Sequence, residues 1–350
     1  MSSSAIREYD ERTVPVPTDD GRTCNVINVR GKAPPTRMPV LLVHGAGVRA
    51  NIFRAPVDET LVDHLIARGH DVWLENWRAS IDFAPNEWNL DQAAVFDHPA
   101  AVRTVVAETG SSEINAVIHC QGSTSFMMSA MAGLVPQVRT IVANAVSLHT
   151  VVPAFSRVKL NTAVPAVGLV TPYVNPHWGV NAPGAVAKIL TALVRLTHHE
   201  CDNTVCKWVS FTYGAGYPAL WRHENLNDAT HEWLKEEFAE VPITFFRQMA
   251  ECVRRGHLVS TGAYSSLPDD FVAKPPQTDA RFAFFAGELN RCFLPAGQRR
   301  TFEHFDALRR GYHALHTFPT YGHLDMFMGK RAATDVFPTM AQELERPLPA

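Results

Sequence analysis

Short apolar runs alternate with stretches of helical periodicity through the first 150 residues. The short runs are bounded by glycine, proline or polar residues, which is typical of buried strands. They predict strands at 23–30, 39–44, 71–75, 114–119 and 138–146. The longer stretches between them predict helices at 58–68, 90–109 and 123–133.

The same alternation returns near the end of the chain. Residues 281–286 and 312–318 predict strands, whereas 298–309 and the residues from 327 onward predict helices. Strands that alternate with helices form a mostly parallel sheet covered on both faces. The pattern therefore predicts the α/β class.

Residues 151–275 interrupt this alternation. Helical periodicity recurs there at 185–196, 228–238 and 243–255, together with a long apolar patch at 164–174. We interpret the segment as an insertion over the carboxyl edge of the sheet, where open α/β sheets bind ligands. The predicted organisation is a core formed by 1–150 and 276–350, with a helical cap at 151–275.

Composition narrows the class further. A hydrophobic content of 46% excludes disorder for most of the 350 residues, and the balance of 32 Lys+Arg against 35 Asp+Glu argues against a nucleic-acid partner. Six cysteines are too few for a disulfide framework. The N-terminus lacks a signal-peptide pattern, and no window approaches the roughly 18 apolar residues of a spanning helix. We expect a cytoplasmic protein without stable membrane insertion.

A predicted buried strand leads directly into a predicted helix at 117–123 (VIHCQGS). This is the context of a nucleophile elbow, where a strained turn presents a reactive side chain between two small residues. Cys120 takes the nucleophile position and Gly122 the later small position, whereas Ile118 departs from the pattern. Two alternatives stay open: an inert buried Cys120, or Ser123 as the nucleophile.

Two further segments fit a catalytic site around Cys120. The Gly-rich turn 44–47 (HGAG) follows a predicted strand, and the backbone N–H groups of Ala46 and Gln121 are the predicted oxyanion hole. His323 follows the last predicted strand. That is the position of the general base when the chain order is nucleophile, acid, histidine.

Several segments resemble the acid-lipase branch of the α/β-hydrolases. Residues 71–80 (DVWLENWRAS) resemble its DVWLxNxRG block, 96–100 (FDHPA) its acidic segment before the elbow, 119–123 (HCQGS) its HSQGT box, and 322–325 (GHLD) its HLD ending. The resemblance covers most of 39–150 and 280–345 but only loosely the insertion. It implies an α/β-hydrolase fold with a helical cap, lipase- or esterase-like activity, and no metal or organic cofactor. The cysteine also resembles the elbow of polyhydroxyalkanoate synthases and dienelactone hydrolases.

The third catalytic member is not fixed by the pattern. The family's acid usually occurs as G-x-x-D, and Asn290 occupies that position after Gly287. Asn290 can orient a histidine through its side-chain carbonyl, as in Cys-His-Asn sites. Glu288 is the nearest carboxylate and stays a candidate. A thiol, with a pKa of about 8.5, needs less assistance than an alcohol.

These residues predict acyl transfer through a thioester on Cys120, with a small-molecule hydrophobic acyl substrate. Hydrolysis is the same chemistry with water as the acceptor, so both outcomes stay open, as does the oligomeric state. The rival hypothesis is a non-catalytic ligand-binding protein on a hydrolase scaffold, favoured by Ile118 and the missing acid. Fast iodoacetamide labelling of Cys120 that depends on His323 distinguishes the two.

Other reactive residues have ordinary interpretations. Cys201 and Cys206, beside His198, His199 and Glu200, carry ligand types that suit zinc, but no second pair follows at zinc-finger spacing, so we expect a cap loop without metal. The aromatic segment 211–223 is interpreted as packing between cap helices, with pocket lining as the alternative, and His149 as either a surface or a pocket-rim residue. Cys24, Cys252 and Cys292 are predicted to be structural.

Overall fold

The computed structural model describes residues 9–146, 148–216 and 218–348. Its ten strands are β1 Asp10–Pro17, β2 Thr23–Arg30, β3 Val40–Val43, β4 Val72–Asn76, β5 Ile114–His119, β6 Val138–Asn144, β7 Tyr173–Val174, β8 Val241–Pro242, β9 Arg281–Gly287 and β10 Ala314–Phe318. Eight of them form one sheet in the order β1-β2-β4-β3-β5-β6-β9-β10. Only β2 runs antiparallel to its neighbours in this sheet. Strands β7 and β8 pair separately.

Helices cover both faces of the sheet. They are α1 Leu61–Ala67, α2 Leu90–Gln92, α3 His98–Thr109, α4 Cys120–Met131, α5 Ala154–Val167, α6 Gly184–Thr197, α7 Thr204–Tyr213, α8 Asp228–Trp233, α9 Ile243–Arg255, α10 Pro295–Leu308, α11 Asp325–Met328, α12 Ala332–Asp335 and α13 Phe337–Glu345. Short 3-10 turns occupy Ala50–Arg54, Pro176–Gly179, His223–Asn225 and Leu234–Glu236, and one π turn occupies Ala93–Asp97. Among the described residues, no helix combines the length and apolar character needed to cross a bilayer.

The parallel strands divide their side chains between two cores. In β3, Leu41 and Val43 belong to the core under α3, α4 and α9, whereas Val40 and Leu42 belong to the core under α1 and α13. All four side chains are fully buried, as expected of a strand covered on both faces. The predicted mostly parallel sheet with helices on both faces is therefore confirmed.

Two departures from the predicted elements concern an edge strand and the apolar patch of the insertion. Strand β1 was not predicted, because its sequence contains Pro15 and Pro17 and only Val14 and Val16 are buried. Proline is tolerated there because β1 is an edge strand. The apolar patch at 164–174 begins inside α5, a helix that sequence periodicity did not indicate.

Candidate active site

Cys120 lies at a strained turn between β5 and α4. Its φ is 56°, in the left-handed region that β-carbon-bearing residues rarely adopt. The turn requires glycine on both sides of the contact: a β-carbon on Gly122 would lie 2.0 Å from the carbonyl oxygen of His44, and one on Gly45 would lie 2.9 Å from Cβ of Cys120. The helix begins at Cys120 itself, three residues before the predicted start. Ile118 is buried in the core and does not prevent the turn.

His323, which comes late in the chain, lies beside Cys120. A ring nitrogen of His323 and the sulfur of Cys120 are within 4.8 Å of each other. His323 is fully buried, and its backbone N–H donates to the carbonyl of Leu220 at 2.9 Å. Its Nδ1 faces Nδ2 of Asn290 at 3.0 Å. The other ring nitrogen, Nε2, has no hydrogen-bond partner among the described residues and is the one left for the sulfur.

The Asn290 amide is fixed in one orientation by the backbone. Its Oδ1 accepts from the N–H groups of Cys292 at 2.9 Å and Phe293 at 3.2 Å, so the amide NH₂ must face His323. The expectation that Asn290 acts through its carbonyl is therefore wrong. Nδ1 of His323 accepts a hydrogen bond, which places the proton of the neutral ring on Nε2. Glu288 pairs with Arg299 instead.

Cys292 is the second thiol of the site. The prediction of a purely structural Cys292 is corrected, because its side chain contacts Cys120 and lines the same cavity. Burial raises the pKa of Cys120, but contacts with the Cys292 thiol, His323 and the Gln121 backbone N–H outweigh burial and hold that pKa well below its ordinary value. The contact with Cys120, followed by burial, raises the pKa of Cys292 well above its ordinary value. The contact between the two thiols therefore favours ionisation of Cys120 over ionisation of Cys292.

A second histidine also faces the site. Nδ1 of His119 contacts Oδ1 of Asn144 at 2.7 Å, and its ring centroid lies 4.6 Å from that of His323. Burial lowers the pKa of His119 well below its ordinary value, so the ring is neutral. His119, Cys120 and His323 together form a set of ligand atoms within 4.8 Å of one another. Its position inside the elbow motif was the only sequence signal for it.

Cys120 opens into an apolar cavity. The empty space, counted to its open mouth, is ≈ 900 Å³. Its walls come mainly from α5, α7 and α9 and include Leu160, Ala163, Val164, Val167, Phe211, Tyr213, Ile243, Phe245, Phe246, Met249 and Val253. The aromatic segment therefore contributes pocket lining at Phe211 and Tyr213. These walls suit a hydrocarbon group next to the sulfur.

One cationic side chain interrupts the apolar wall. The ammonium of Lys159 donates to the carbonyls of Phe211 and Gly214. Burial lowers the pKa of Lys159 to about 8. The group is thus anchored to backbone oxygens instead of pointing freely into the cavity.

A buried ion pair and a buried histidine lie behind the elbow helix. Arg78 forms a two-pronged contact with Asp97, with its Nη2 2.6 Å from Oδ1. Nδ1 of His98 lies 2.8 Å from Oε1 of Glu75, and its Nε2 lies 2.7 Å from Oγ of Ser125 in α4. These residues occur in the segments that resemble the acid-lipase branch, so those segments meet in space as one support for Cys120.

Three other sequence candidates are Ser123, His149 and Ala46. Ser123 is fully buried inside α4 and does not line the cavity, so the structure disfavours it as the nucleophile. His149 lies against His304, with ring centroids 5.6 Å apart. Ala46 is buried in the loop after β3, where its carbonyl accepts from Tyr213 at 3.3 Å.

The histidines and cysteines of the cap-loop segment 198–206 lie in different surroundings. His198 lies against Phe211, with ring centroids 5.7 Å apart. Cys201 and Cys206 instead converge with His223 and His231, which come from later in the chain.

The fold is the α/β-hydrolase fold. The chain aligns over 96% of its length with all of a thermophilic esterase from Thermogutta terrifontis, at a TM-score of 0.56 and 12% identity. It aligns over 95% of its length with 99% of an esterase from Exiguobacterium antarcticum, at a TM-score of 0.57 and 11% identity. A putative hydrolase from Bacillus subtilis aligns over 98% of this chain and 99% of its own, at a TM-score of 0.54 and 10% identity.

Sequence comparison gives a more local likeness. The chain is 27% identical over 146 residues to sterol esterase 2 of Saccharomyces cerevisiae. The match covers 36% of this chain, and it spans only 27% of the length of that relative. No family model matches the chain.

Proposed function

We propose that the protein is an acyl-transferring enzyme that forms a thioester on Cys120, with a thioester as its preferred acyl donor. The observation that carries the proposal is the Cys120 sulfur, presented at a left-handed turn, beside His323 and open to an apolar cavity. The likeness to a sterol esterase supports chemistry on esters of apolar molecules. It also supports placing the chain with the acid-lipase branch.

The lowered pKa of Cys120 supports a pre-formed nucleophile. A thiolate attacks acyl carbons without prior proton removal, whereas a serine hydroxyl needs a base at that moment. Contacts with the Cys292 thiol, His323 and the Gln121 N–H lower the pKa of Cys120, and we assign Nε2 as the His323 nitrogen that faces the sulfur. In the transition state for acylation of Cys120, we propose that the backbone N–H groups of Ala46 and Gln121 donate to the oxyanion.

The Asn290 orientation favours a thioester donor over an alkyl ester. The Cys120 thiolate attacks the carbonyl carbon, a new C–S bond forms, and the carbonyl electron pair moves to oxygen. When that pair returns, the donor C–S bond breaks and the donor leaves as a thiolate, so no proton is transferred. An alkoxide leaving group needs a proton, and a neutral His323 that donates Nε2–H would become an unstable imidazolate.

The acceptor half-reaction follows the same logic. A thiolate acceptor attacks the Cys120 thioester and expels the Cys120 thiolate, again without proton transfer. Water or an alcohol must lose a proton, and His323 accepts one at Nε2 only as the Nδ1–H tautomer. That tautomer points its hydrogen at the amide NH₂ of Asn290. Hydrolysis is therefore the slower outcome.

The insertion 151–275 is proposed to act as a cap that holds the acyl group and limits water. Its helices α5, α7 and α9 supply most of the apolar wall around Cys120. The proposed setting is the reducing cytoplasm, because the nucleophile must remain a thiol and the six cysteines are free.

Intact-protein mass spectrometry tests the proposal. Incubation with a long-chain acyl thioester is expected to add one acyl mass, which peptide mapping places on Cys120. The Cys120→Ala variant is expected to stay unmodified, and Cys252→Ala, which removes a buried thiol of α9, is the matched control. An adduct on another residue, or none with short and long donors alike, would refute the assignment.

A further inference from the structure

Two cysteines and two histidines converge at a second place, in the insertion. Cys201 lies before α7, Cys206 in its first turn, His223 in a 3-10 turn and His231 in α8. One ligand atom from each of the four lies within 4.8 Å of every other. Nothing in the proposed acyl transfer uses these side chains.

The geometry matches what a tetrahedral zinc ion requires. Zinc binds sulfur at about 2.3 Å and imidazole nitrogen at about 2.0–2.1 Å, which spaces the ligand atoms about 3.3–3.8 Å apart. Sγ of Cys206 and Nε2 of His223 are already 3.3 Å apart. The imidazole rings of His223 and His231 stand 4.8 Å apart and nearly perpendicular, at 80°, so they approach a common point without stacking.

The composition of the set also suits zinc. Two thiolates balance the charge of Zn²⁺, and two neutral imidazoles complete four ligands, so the filled site is electrically neutral. Cys206 is fully buried, and Nε2 of His231 is buried without a hydrogen-bond partner among the described residues. A buried polar nitrogen left without a partner is costly, and coordination on this ring removes that cost.

The loop that carries the cysteines is held in place by Asn203. Oδ1 of Asn203 accepts from the N–H groups of Val205 at 3.0 Å and Cys206 at 3.1 Å. Its Nδ2 donates to the carbonyl of His231 at 2.7 Å. One asparagine thus fixes Cys206 and the α8 ligand relative to each other before any metal binds.

We propose that Cys201, Cys206, His223 and His231 form a structural Zn²⁺ site. All four positions are filled by protein, so the ion has no open site for substrate. The site links α7 and α8 to the segment that supports the His323 loop: Leu220 accepts from His323 N–H, and Arg222 N–H donates to Asp325. The ion therefore stabilises the insertion and, through it, the position of His323.

Zinc content tests the proposal directly. We expect about one zinc per chain in wild-type protein by elemental analysis after buffer exchange, or after reconstitution with ZnSO₄. The double variant Cys206→Ser/His231→Ala is expected to lose it, while Cys24→Ser, a buried cysteine of β2, retains it. Cobalt substitution should give thiolate-to-metal charge-transfer absorption in the wild type and not in the double variant.

Two controls keep the result independent of the catalytic proposal. Cys120→Ala is expected to keep its zinc, and loss of zinc there would place the ion at His119, Cys120 and His323 and overturn the assignment. Folded wild-type protein that takes up no zinc or cobalt under reducing conditions would also overturn it. A Cys201–Cys206 disulfide in protein prepared under reductant, detected as two free thiols fewer than expected, would overturn it as well. The single variant His231→Asn, checked by circular dichroism, separates metal loss from misfolding.

Discussion

The orientation of the Asn290 amide predicts which ring nitrogen of His323 can accept a proton. Asn290→Asp is nearly isosteric: one carboxylate oxygen keeps the hydrogen bonds from Cys292 and Phe293 N–H, and the other faces Nδ1 of His323. The side chain then accepts from His323 instead of donating to it. The proton of the neutral ring moves to Nδ1, and Nε2 becomes a base.

The magnitude follows from the hydrogen bonds exchanged. In the wild type, the Nδ1–H tautomer of His323 leaves a buried hydrogen bond unmade, at a cost of about 1–3 kcal/mol. In Asn290→Asp, that tautomer gains a charge-assisted hydrogen bond of about 1.5–3 kcal/mol. The sum, about 2.5–6 kcal/mol, corresponds to about 10²–10⁴-fold at 1.36 kcal/mol per factor of ten.

A burst experiment isolates the affected step. With an activated aryl ester, release of the first equivalent reports acylation of Cys120 and the steady state reports attack by water. Asn290→Asp is expected to raise the steady-state rate by about 10²–10⁴-fold and to leave burst amplitude at one equivalent. Glu288→Gln is the matched control, because Glu288 pairs with Arg299 and not with His323. An unchanged or slower steady state in a folded Asn290→Asp variant would show that the tautomer argument is wrong.

Three further predictions concern the thiolate, the support of the elbow and the cavity. Because the pKa of Cys120 is lowered, its rate of iodoacetamide labelling should already be on a plateau at neutral pH and should fall only on acidification through that pKa. Cys292→Ala removes a hydrogen-bond donor to Cys120 and should move this fall to higher pH. A labelling profile centred near pH 8.5 in the wild type would contradict this. Asp97→Asn removes the buried carboxylate that holds Arg78 and leaves the partly exposed Asp20 as its carboxylate partner, so it should lower the free energy of unfolding in urea by about 3 kcal/mol. Asp19→Asn, in an exposed pair, should change that free energy by less than about 1 kcal/mol, and equal effects would refute the buried-pair argument. Ala163→Phe fills the cavity and should lower kcat/KM for long acyl donors about tenfold or more relative to acetyl donors, and a uniform loss for both would assign the change to stability instead.

The central sheet was predictable because its signal is local. Strands β2 and β5 begin and end at the predicted residues, because β2 shows the alternation of a half-buried strand and β5 is a short, fully buried run. The elbow was predictable for the same reason, because strand, turn and helix are consecutive in sequence. Strand β1 was not, because two prolines hide the alternation and pairing with β2 decides its conformation.

The details of the site depend on contacts that sequence spacing does not encode. The contact of Cys292 with Cys120 joins residues far apart in the chain, and no motif links them. The direction of the Asn290 amide is set by two backbone N–H groups of its own loop. In the insertion, His223 and His231 come close to Cys206 only through the packing of α7 and α8, whereas the histidines next to the cysteines in sequence are His198 and His199.

Two departures from the hydrolase pattern, Cys120 and Asn290, are chemically coupled. A serine nucleophile must give its proton to Nε2 as it attacks, so it needs an acceptor such as aspartate at Nδ1 to hold the ring in the right tautomer. A cysteine with a lowered pKa loses its proton more readily before it attacks, and a ring that donates Nε2–H stabilises the resulting thiolate. Asn290 favours that donating ring, whereas an aspartate there would favour the other tautomer. Cys120→Ser alone should therefore give almost no activity. The double variant Cys120→Ser/Asn290→Asp should hydrolyse esters faster than Cys120→Ser.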